Sequence, residues 1–302
     1  MSESIPATQR LSSHLWRLGT RYQPSYLIRG RDRAAIFEAG VTASAGVVLA
    51  QLDALGCPRA EVSDVIVSHP HADHVAGLAV LLAGLPAARP RLTALARQTL
   101  AKPSLRQKFA LEEGFTSRAI TRREALPNGR PHRPDLAPPP PGPDLEPGDT
   151  LDLGAVELVF RDAAGHVPGG LFCLLPQDDA VLASDSAGFL QDGAPGFPLG
   201  YVSWDIYAQT LAGIADLSPG LLALAHQEVL TGGQAAEFLR RADESQAQER
   251  EWLRSAARNL DPEEVARAYF RRWYHGDLTV YSPRGILNCC RLLLRRALEN
   301  GN

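Results

Sequence analysis

The chain has 302 residues, a formal charge of −3 at neutral pH and 45% hydrophobic residues. That length can bury a large core, either as one α/β sandwich or as a domain with an appendage. The charge gives no basic footprint for nucleic acid and no apolar stretch is long enough to span a membrane, so we expect neither as a partner.

The N-terminal part of the chain predicts paired strands, then a helix and a buried strand. Residues 15–18, 26–29 and 34–38 alternate like short strands, with a turn at 29–33 and Gly40 closing the hairpin. Helical apolar spacing runs over 44–55 and stops at the following Gly-Cys-Pro. The apolar run 62–67 then predicts a buried strand.

Directly after that strand comes the sequence His-Pro-His-Ala-Asp-His, at positions 69 to 74. Neutral imidazole nitrogen and carboxylate oxygen bind divalent metals at about 2.0–2.2 Å. A six-residue turn cannot wrap four such side chains around one ion, so the spacing favours two ions side by side. We expect His69 and His71 on one ion, and Asp73 and His74 on the other.

The middle of the chain predicts helices and a long insertion. Residues 76–82 predict a helix, and 95–111 a second one broken at Pro103. Eight prolines in residues 131–147 predict an extended, semi-rigid connection. We interpret residues of about 127–148 as an insertion that either flanks the substrate entrance or is a linker without a catalytic role.

The next segment predicts a second set of strands, with polar residues where they end. Strand character at 150–153 and 156–160 precedes Gly165-His166-Val167-Pro168-Gly169. A hairpin at 171–175 and 180–183 ends in Ser184-Asp185-Ser186. A helix at 207–217 leads to a short strand at 221–225, which ends in His226.

The last quarter of the chain predicts helices. Residues 235–259 form a charged helical stretch, and Asp261-Pro262-Glu263-Glu264 has the composition of a helix start. Ser282-Pro283-Arg284 opens another helix with a broad apolar face. That face must pack on the rest of the chain or on a second subunit. We therefore expect a main domain over 11–230 and a helical cap over 231–302, with a homodimer through the helices as an additional expectation.

With these motifs in place, the chain resembles members of the metallo-β-lactamase superfamily. The Gly-His-x-Pro-Gly segment around His166, the strand-end Ser-Asp of Asp185 and the strand-end His226 match the family's downstream motifs in order. The resemblance covers residues from about 11 to 226. It implies an α/β fold, a four-layer αβ/βα sandwich with its ligands on loops at one edge of the sheets.

The resemblance also implies a site with two divalent metal ions. It places His69, His71 and His166 on the first ion, Asp73, His74 and His226 on the second, and Asp185 between the two. A hydroxide shared by the ions would attack the substrate, and Asp73 would be a catalytic residue that orients this nucleophile and holds its proton. Zinc is the expected metal, and such a ligand set also accepts iron or manganese.

One position departs from the family pattern. The early hairpin of the family usually ends in Asp-x-Gly, whereas this chain has Glu38-Ala39-Gly40. We expect the longer side chain of Glu38 to reach the same partners around the metal ligands.

The expected substrate is a small-molecule ester or thioester, most specifically an acyl-CoA or glutathione thioester. The complete ligand set resembles glyoxalase II-like enzymes. The length and the terminal helices resemble the 2-aminobenzoylacetyl-CoA thioesterase branch, in which a helical cap narrows access to the metals. The corresponding region here would be residues 269–298, with Tyr281, Ser282 and Asn288.

Other substrates are less well supported. Lactone hydrolysis is the alternative, although the tyrosine that such lactonases often carry three positions after the bridging aspartate is Gly188 here. The missing signal peptide and the ligand set with Asp185 disfavour β-lactam hydrolysis. The net charge disfavours a nuclease.

A non-enzymatic alternative is that a capped member of the family acts mainly through a protein partner. The candidate contact surface is the set of arginines near the C-terminus: Arg267, Arg271, Arg272, Arg291, Arg295 and Arg296.

Two of the cysteines and two further histidines are expected to be structural. The four cysteines show no CxxC pattern, and Cys289 and Cys290 are interpreted as helix packing residues. His14 and His132 are expected to be hydrogen-bonded structural residues. Residues 1–10 lack the apolar core of a secretory signal, so we expect a cytoplasmic location.

Overall fold

The computed structural model describes residues 5–126, 136–191 and 193–299. His132 and the first half of the proline-rich insertion lie outside this part of the chain. Two β-sheets of six strands each form the frame of the described residues.

The first sheet is built by the N-terminal residues and contains its strands in chain order. Strands β1 to β4 are antiparallel, whereas β4, β5 and β6 are parallel. The strands are β1 (Gln9–Arg10), β2 (Leu15–Gly19), β3 (Pro24–Arg29), β4 (Ala34–Phe37), β5 (Val62–Ile66) and β6 (Arg89–Arg91).

The helices that lie between and after the later strands of the first sheet cover its outer face. They are α1 (Thr42–Ala54), α2 (Ala72–Val75), α3 (Leu78–Gly84), α4 (Ala94–Leu100) and α5 (Pro103–Arg123). The predicted helix at 76–82 is thus α3, and α2 is a separate turn inside the histidine motif. The predicted break at Pro103 is present, since α4 ends at Leu100 and α5 begins at Pro103. Proline suits the first turn of a helix, because its missing N–H would have no partner within the helix there. The helix continues twelve residues beyond its predicted end at residue 111.

The second sheet has the strand order β14-β13-β10-β9-β8-β7, and β10 and β13 are parallel. The strands of the second half are β7 (Thr150–Asp152), β8 (Glu157–Asp162), β9 (Leu171–Leu175), β10 (Ala180–Ser184), the small hairpin β11 (Leu190–Gln191) and β12 (Ala194–Pro195), β13 (Leu221–Leu224) and β14 (Val229–Thr231). The helices are α6 (Trp204–Asp216), α7 (Gly233–Ala256), α8 (Pro262–Trp273) and α9 (Pro283–Leu298).

Three apolar clusters show that these elements form four layers. One cluster fills the space between the sheets, with Phe37 and Ile66 from the first sheet against Phe160 and Leu182 from the second. A second cluster lies between the first sheet and α1, α3 and α4. The third lies between the second sheet and α6 to α9. The α/β metallo-β-lactamase-type sandwich expected from the sequence is therefore confirmed.

The C-terminal helices share a core with the second sheet. Asp261 caps α8 by accepting from the backbone N–H groups of Glu263 and Glu264, as its sequence predicted. Ser282 caps α9 in the same way. The indole N–H of Trp204 in α6 donates to the carbonyl of Leu293 in α9 over 3.2 Å. The division into a domain over 11–230 and a cap over 231–302 stays a prediction.

None of the helices in the described ranges is long and apolar enough to cross a membrane.

The described part of the proline-rich insertion, residues 136–148, has no helix and runs along α4. The Arg97 guanidinium holds it by donating to the carbonyl of Pro140 and to the carboxylate of Asp144.

Candidate metal centre

The first half of the candidate site is built by the residues that follow β5. This strand is buried, and its end brings the chain to His69 at the edge of the sheet. His71 is the N-cap residue of α2, and this single helical turn carries Asp73 and His74. Because the chain turns into a helix at this point, the side chains of residues 69, 71, 73 and 74 all lie on the side of the loop that faces the candidate site.

The second half comes from three connections of the other sheet. Asp185 follows β10 directly, and His226 lies two positions after β13. His166 lies in the turn between β8 and β9. Since β10 and β13 are parallel, their carboxyl ends meet at one edge, which brings Asp185 and His226 together. All seven ligands predicted from the sequence are thus gathered at one place.

Gly165 allows His166 to reach that place. A Cβ atom at Gly165 would lie 2.4 Å from backbone atoms of Tyr207 in the first turn of α6. The carbonyl of Gly165 also accepts the N–H of Val202 just before that helix. The glycine in front of this histidine is therefore required by the close approach of α6.

Three imidazole nitrogens converge in the first cluster. Nδ1 of His71 lies 3.0 Å from Nε2 of His69 and 3.0 Å from Nε2 of His166. One carboxylate oxygen of Asp185 lies 3.1 Å from Nε2 of His166 and 3.6 Å from that of His69. These atoms are close enough to bind one cation together.

The second cluster lies beside the first and shares Asp185 with it. Asp73 Oδ2 lies 3.6 Å from Nε2 of His74 and 3.7 Å from Nε2 of His226. Asp185 reaches both imidazoles, at 3.5 Å from His74 through Oδ2 and at 3.2 Å from His226 through Oδ1. The carboxylate of Asp185 therefore spans the two groups of ligands.

Most of the imidazoles use their other ring nitrogen to bind a fixed partner outside the cluster. Nδ1 of His166 donates to the carbonyl of Leu199 over 2.8 Å, and Nδ1 of His226 donates to that of Tyr22 over 3.1 Å. Nδ1 of His69 lies 2.9 Å from the Ser68 hydroxyl. Such partners leave Nε2 unprotonated and pointing inward, which is the arrangement typical of metal-bound histidine.

The inward-facing nitrogen and oxygen atoms of the seven candidate ligands cannot all be satisfied by hydrogen bonds among themselves, whereas cations would satisfy them. A single proton on Nδ1 of His71 cannot satisfy both of the ring nitrogens 3.0 Å away. Nε2 of His74 and Oδ1 of Asp185 are buried without a hydrogen bond to any described residue. Buried polar atoms without a partner are costly, and a cation at the centre of each cluster would satisfy them.

The pKa shifts differ between the two clusters. Burial and the neighbouring imidazoles hold the pKa of His69 well below its usual range and lower that of His71 to about 3, so both are neutral, as ligands must be. Burial also disfavours the charged form of His74, but the carboxylates of Glu38, Asp185 and Asp73 outweigh it and raise its pKa well above the usual value. The second cluster therefore attracts positive charge, whether as protons or as a metal ion.

Glu38 fills the role expected at its position. Its carboxylate lies 3.2 Å from Nδ1 of His74 and accepts the hydroxyl of Ser184 over 2.6 Å. Both Glu38 (φ 74°) and Ser184 (φ 49°) have left-handed backbones, which non-glycine residues rarely adopt. This pair of strained residues joins the two sheets next to His74 and Asp185, so the strain lies at the site.

Replacing Glu38 by glutamine is expected to weaken metal binding at the second cluster by about 10- to 100-fold, because the amide holds the His74 imidazole less well than a carboxylate does. Competition with a chromophoric chelator measures this affinity. Glu61→Gln is the matched control, since this acid pairs with Arg29 on the surface. Equal affinities of the Glu38 variant and the control would contradict the assignment.

A cavity of about 490 Å³ opens over the two clusters. His71, Asp73 and His166 lie at its floor. Its walls are largely apolar, with three charged side chains among them, and part of one wall is α9. The wall residues include Lys108, Phe109, Glu112, Val167, Leu199, Ile286, Cys289, Leu292 and Arg296. Residues of α9 thus line the cavity, and Cys289 is among them, whereas Cys290 packs in the core.

Two tyrosines flank the clusters, one on each side. The ring of Tyr201 lies 5.1 Å from that of His166, and Tyr281 places its hydroxyl 3.1 Å from Nδ1 of His226. Tyr201 and Gln23, whose amide donates to the Tyr281 hydroxyl over 3.1 Å, are not among the residues expected from the sequence. No local sequence motif marks either residue, and only the folding of distant segments brings them to the site.

His14 has the structural role expected of it. Its Nδ1 pairs with the carboxylate of Asp178 over 2.9 Å, away from the seven candidate ligands.

Two packed β-sheets with histidines and aspartates gathered at one edge form a candidate site for metal ions. Residues 18–226 match the sequence profile of the metallo-beta-lactamase superfamily. The chain belongs to this superfamily. No curated protein sequence matches the chain.

Solved structures with the same fold are metallo-β-lactamases of low sequence identity. A HARLDQ-motif mutant of the enzyme from Cronobacter sakazakii has a TM-score of 0.60 and 19% identity, and covers 84% of this chain and 100% of its own. Native FEZ-1 from Legionella gormanii has a TM-score of 0.60 and 14% identity, covering 82% and 97%. MEM-A1, a subclass B3 enzyme from a soil metagenome library, has a TM-score of 0.53 and 16% identity, covering 98% and 94%. At such identities the likeness concerns the fold.

Proposed function

We propose that this protein is a thioesterase that uses two divalent metal ions, with zinc the first choice and iron or manganese as rivals. The observation that carries the proposal is the position of Asp185 between the two groups of imidazoles. Its carboxylate faces both, so the seven side chains offer two adjacent positions for cations. The proposed ligands are His69, His71 and His166 for the first, Asp73, His74 and His226 for the second, and Asp185 for both.

The chemistry follows from this placement. When bound, two such cations lower the pKa of a water molecule toward neutrality and polarise the substrate carbonyl. Asp73 is a ligand candidate that also lines the cavity, so its carboxylate can orient the attacking water and accept its proton. The apolar walls exclude solvent from the reacting carbonyl and accept an acyl group.

A thioester suits this site because a thiolate leaves without a proton donor. The pKa of a free thiol is about 8.5, so its conjugate base is stable enough to depart near neutral pH. The alkoxide released from a lactone is far more basic. The C-terminal helix α9 forms one wall of the cavity, which supports a substrate with a sizeable acyl group.

The alternative of a capped protein that acts mainly through a protein partner has less support. Several arginines of the candidate contact surface are engaged within the chain. Arg272 pairs with Glu249, Arg291 with Glu263 and Arg296 with Glu299. These ion pairs reduce the charge that the surface offers to a partner.

A hydrolysis screen tests the proposal. Zinc-, iron- and manganese-loaded protein would be assayed with S-lactoylglutathione, aliphatic and aromatic acyl-CoAs, acyl homoserine lactones, a β-lactam and a phosphodiester. We expect kcat/KM of about 10⁴ M⁻¹s⁻¹ or more on a thioester, and lower values on the other classes. Turnover of lactones or β-lactams without turnover of thioesters would refute the thioesterase assignment. Metal analysis near one ion per chain would refute the paired site.

A further inference from the structure

We infer that a surface pocket between α8 and α9, the arginine pocket, binds the nucleotide phosphates of a coenzyme A thioester whose acyl group lies in the cavity over the metal centre. This inference rests on the proposed function and deepens it, because it selects coenzyme A over glutathione as the thiol part of the substrate. It gives the C-terminal helices a role in recognising the substrate.

The arginine pocket has a volume of about 450 Å³, which lies in the usual range for small-molecule sites. Phe270 of α8 and Leu287 of α9 give it an apolar surface. The lining also contains four arginines: Arg267, Arg271, Arg284 and Arg291. No acidic residue is among the described residues that line it. An apolar surface surrounded by guanidinium groups suits a flat ring that carries phosphates.

Two of these arginines are held by the protein, and two are open to a ligand. Glu263 binds Arg267 over 2.8 Å and Arg291 over 2.7 Å. One carboxylate thus orients two guanidinium groups and offsets only one of their charges. Arg271 and Arg284 are exposed, and neither has an ion pair with a carboxylate of the described ranges. In a chain with a net charge of −3, this local excess of positive charge favours an anionic ligand.

The arginine pocket and the cavity lie on neighbouring faces of α9. Residues 285, 288, 289 and 292 line the cavity, whereas 284, 287 and 291 line the arginine pocket. Since successive helical residues are about 100° apart, the partly exposed Asn288 lies between the two sets. Its side-chain oxygen accepts the guanidinium of Arg291 over 2.9 Å. A substrate whose acyl group fills the cavity therefore reaches the arginine pocket by passing over Asn288.

Coenzyme A has the chemistry that this arrangement requires. A long flexible arm joins its thiol to an adenine nucleotide with three phosphate groups, so the thioester and the phosphates can occupy separate sites. A helix with its side chains is about 10–12 Å across, a width that this arm can span. Glutathione is shorter and carries carboxylates only. A glutathione thioester at the metal centre would leave Arg271 and Arg284 without a partner.

The first test compares two substrates that share an acyl group. Arg271→Gln/Arg284→Gln is assayed as full-length, zinc-loaded protein with an acyl-CoA and with the N-acetylcysteamine thioester of the same acid, which lacks the nucleotide. We expect KM for the acyl-CoA to rise about tenfold. The value of kcat should stay nearly constant, because the lost contacts bind the substrate and its transition state equally. KM for the N-acetylcysteamine thioester should equal that of wild type.

The matched control is Arg31→Gln/Arg89→Gln, which removes two exposed arginines in and next to the first sheet. It should keep the wild-type KM for both substrates. An unchanged KM for the acyl-CoA in Arg271→Gln/Arg284→Gln, or an equal rise for both substrates, would overturn the inference.

A second measurement does not require turnover. Calorimetric titration of adenosine 3′,5′-bisphosphate into zinc-loaded protein gives the affinity for the nucleotide part alone. We expect Arg271→Gln/Arg284→Gln to bind it about tenfold more weakly than wild type and the control do, because two guanidinium groups are lost. Equal affinities of the three proteins would contradict the arginine pocket.

The two proposals fail in different ways. Wild type that hydrolyses S-lactoylglutathione but no acyl-CoA refutes the role of the arginine pocket and leaves the thioesterase in place. Wild type that hydrolyses lactones and no thioester refutes the thioesterase. The nucleotide titration then decides by itself whether the arginine pocket binds nucleotide phosphates.

Discussion

Asp185→Asn is expected to reduce hydrolysis by at least about 10³-fold, equivalent to about 4 kcal/mol of activation free energy. The carboxylate of Asp185 approaches imidazoles of both clusters with its two oxygens. Burial disfavours its charged form, but the imidazoles of His74, His166 and His226 outweigh this and hold its pKa well below the usual range, so it is a carboxylate. An amide of the same shape removes the negative charge that two adjacent cations require.

Metal content should change together with activity in this variant. Wild type is expected to bind two zinc ions per chain, and Asp185→Asn one ion or fewer. X-ray fluorescence or plasma emission on dialysed protein measures the stoichiometry. The matched control is Asp178→Asn, which changes a second buried aspartate paired with a histidine, His14, outside the site. The assignment of Asp185 would be wrong if its asparagine variant kept both ions and wild-type kcat.

The order and type of nine strands could be predicted from the sequence, because each of these strands has its own apolar run and its own turn. The strands β1, β6, β11, β12 and β14 were not predicted, since each has only two or three residues. Strand β5 and the hairpin of β9 and β10 lie within a residue or two of their predicted positions. The helix at 207–217 begins three residues earlier, at Trp204. Its start depends on the cap by Ser203 and on the contact with Gly165, which come from tertiary packing.

The candidate ligands could be predicted for a different reason. The chemistry of a metal site restricts residue types, and a short spacing such as that of His69, His71 and His74 is visible in one dimension. The residues that orient them are not restricted in this way. Gln23 is a common polar residue, and the role of Leu199 belongs to its backbone carbonyl, which no side-chain pattern encodes.

Glu38 shows what the family resemblance could predict and what it could not. The departure from the family's aspartate predicted a longer arm to the same partners, and the carboxylate indeed contacts His74 and Ser184. The left-handed backbone at this position could not be foreseen, since β4 ends one residue before the predicted end of the strand.

Leu293→Ala in α9 is expected to lower the free energy of unfolding by about 2–5 kcal/mol, the usual range for deleting a buried leucine. The side chain is fully buried in the cluster that joins α6 to α9 with the second sheet. Its matched control is Leu298→Ala on the same helix, where the side chain is 48% exposed. A surface change of this kind should alter stability by no more than about 0.5 kcal/mol. Equilibrium denaturation of the metal-loaded proteins in urea measures both values.

The same experiment tests whether residues 231–302 are a separate domain. Tryptophan fluorescence reports on the surroundings of four indoles, two of them in residues 231–302, and circular dichroism reports on the helices of both parts of the chain. Coincident transitions by the two probes indicate one cooperative unit. The core shared by Leu293 with Trp204 and Leu222 leads us to expect coincidence in wild type and in both variants. If Leu293→Ala instead moves a separate helical transition and leaves the other in place, the helices are an independent domain. In that case Tyr281 would contact His226 only while that domain is docked, and this contact would be lost before the sandwich unfolds.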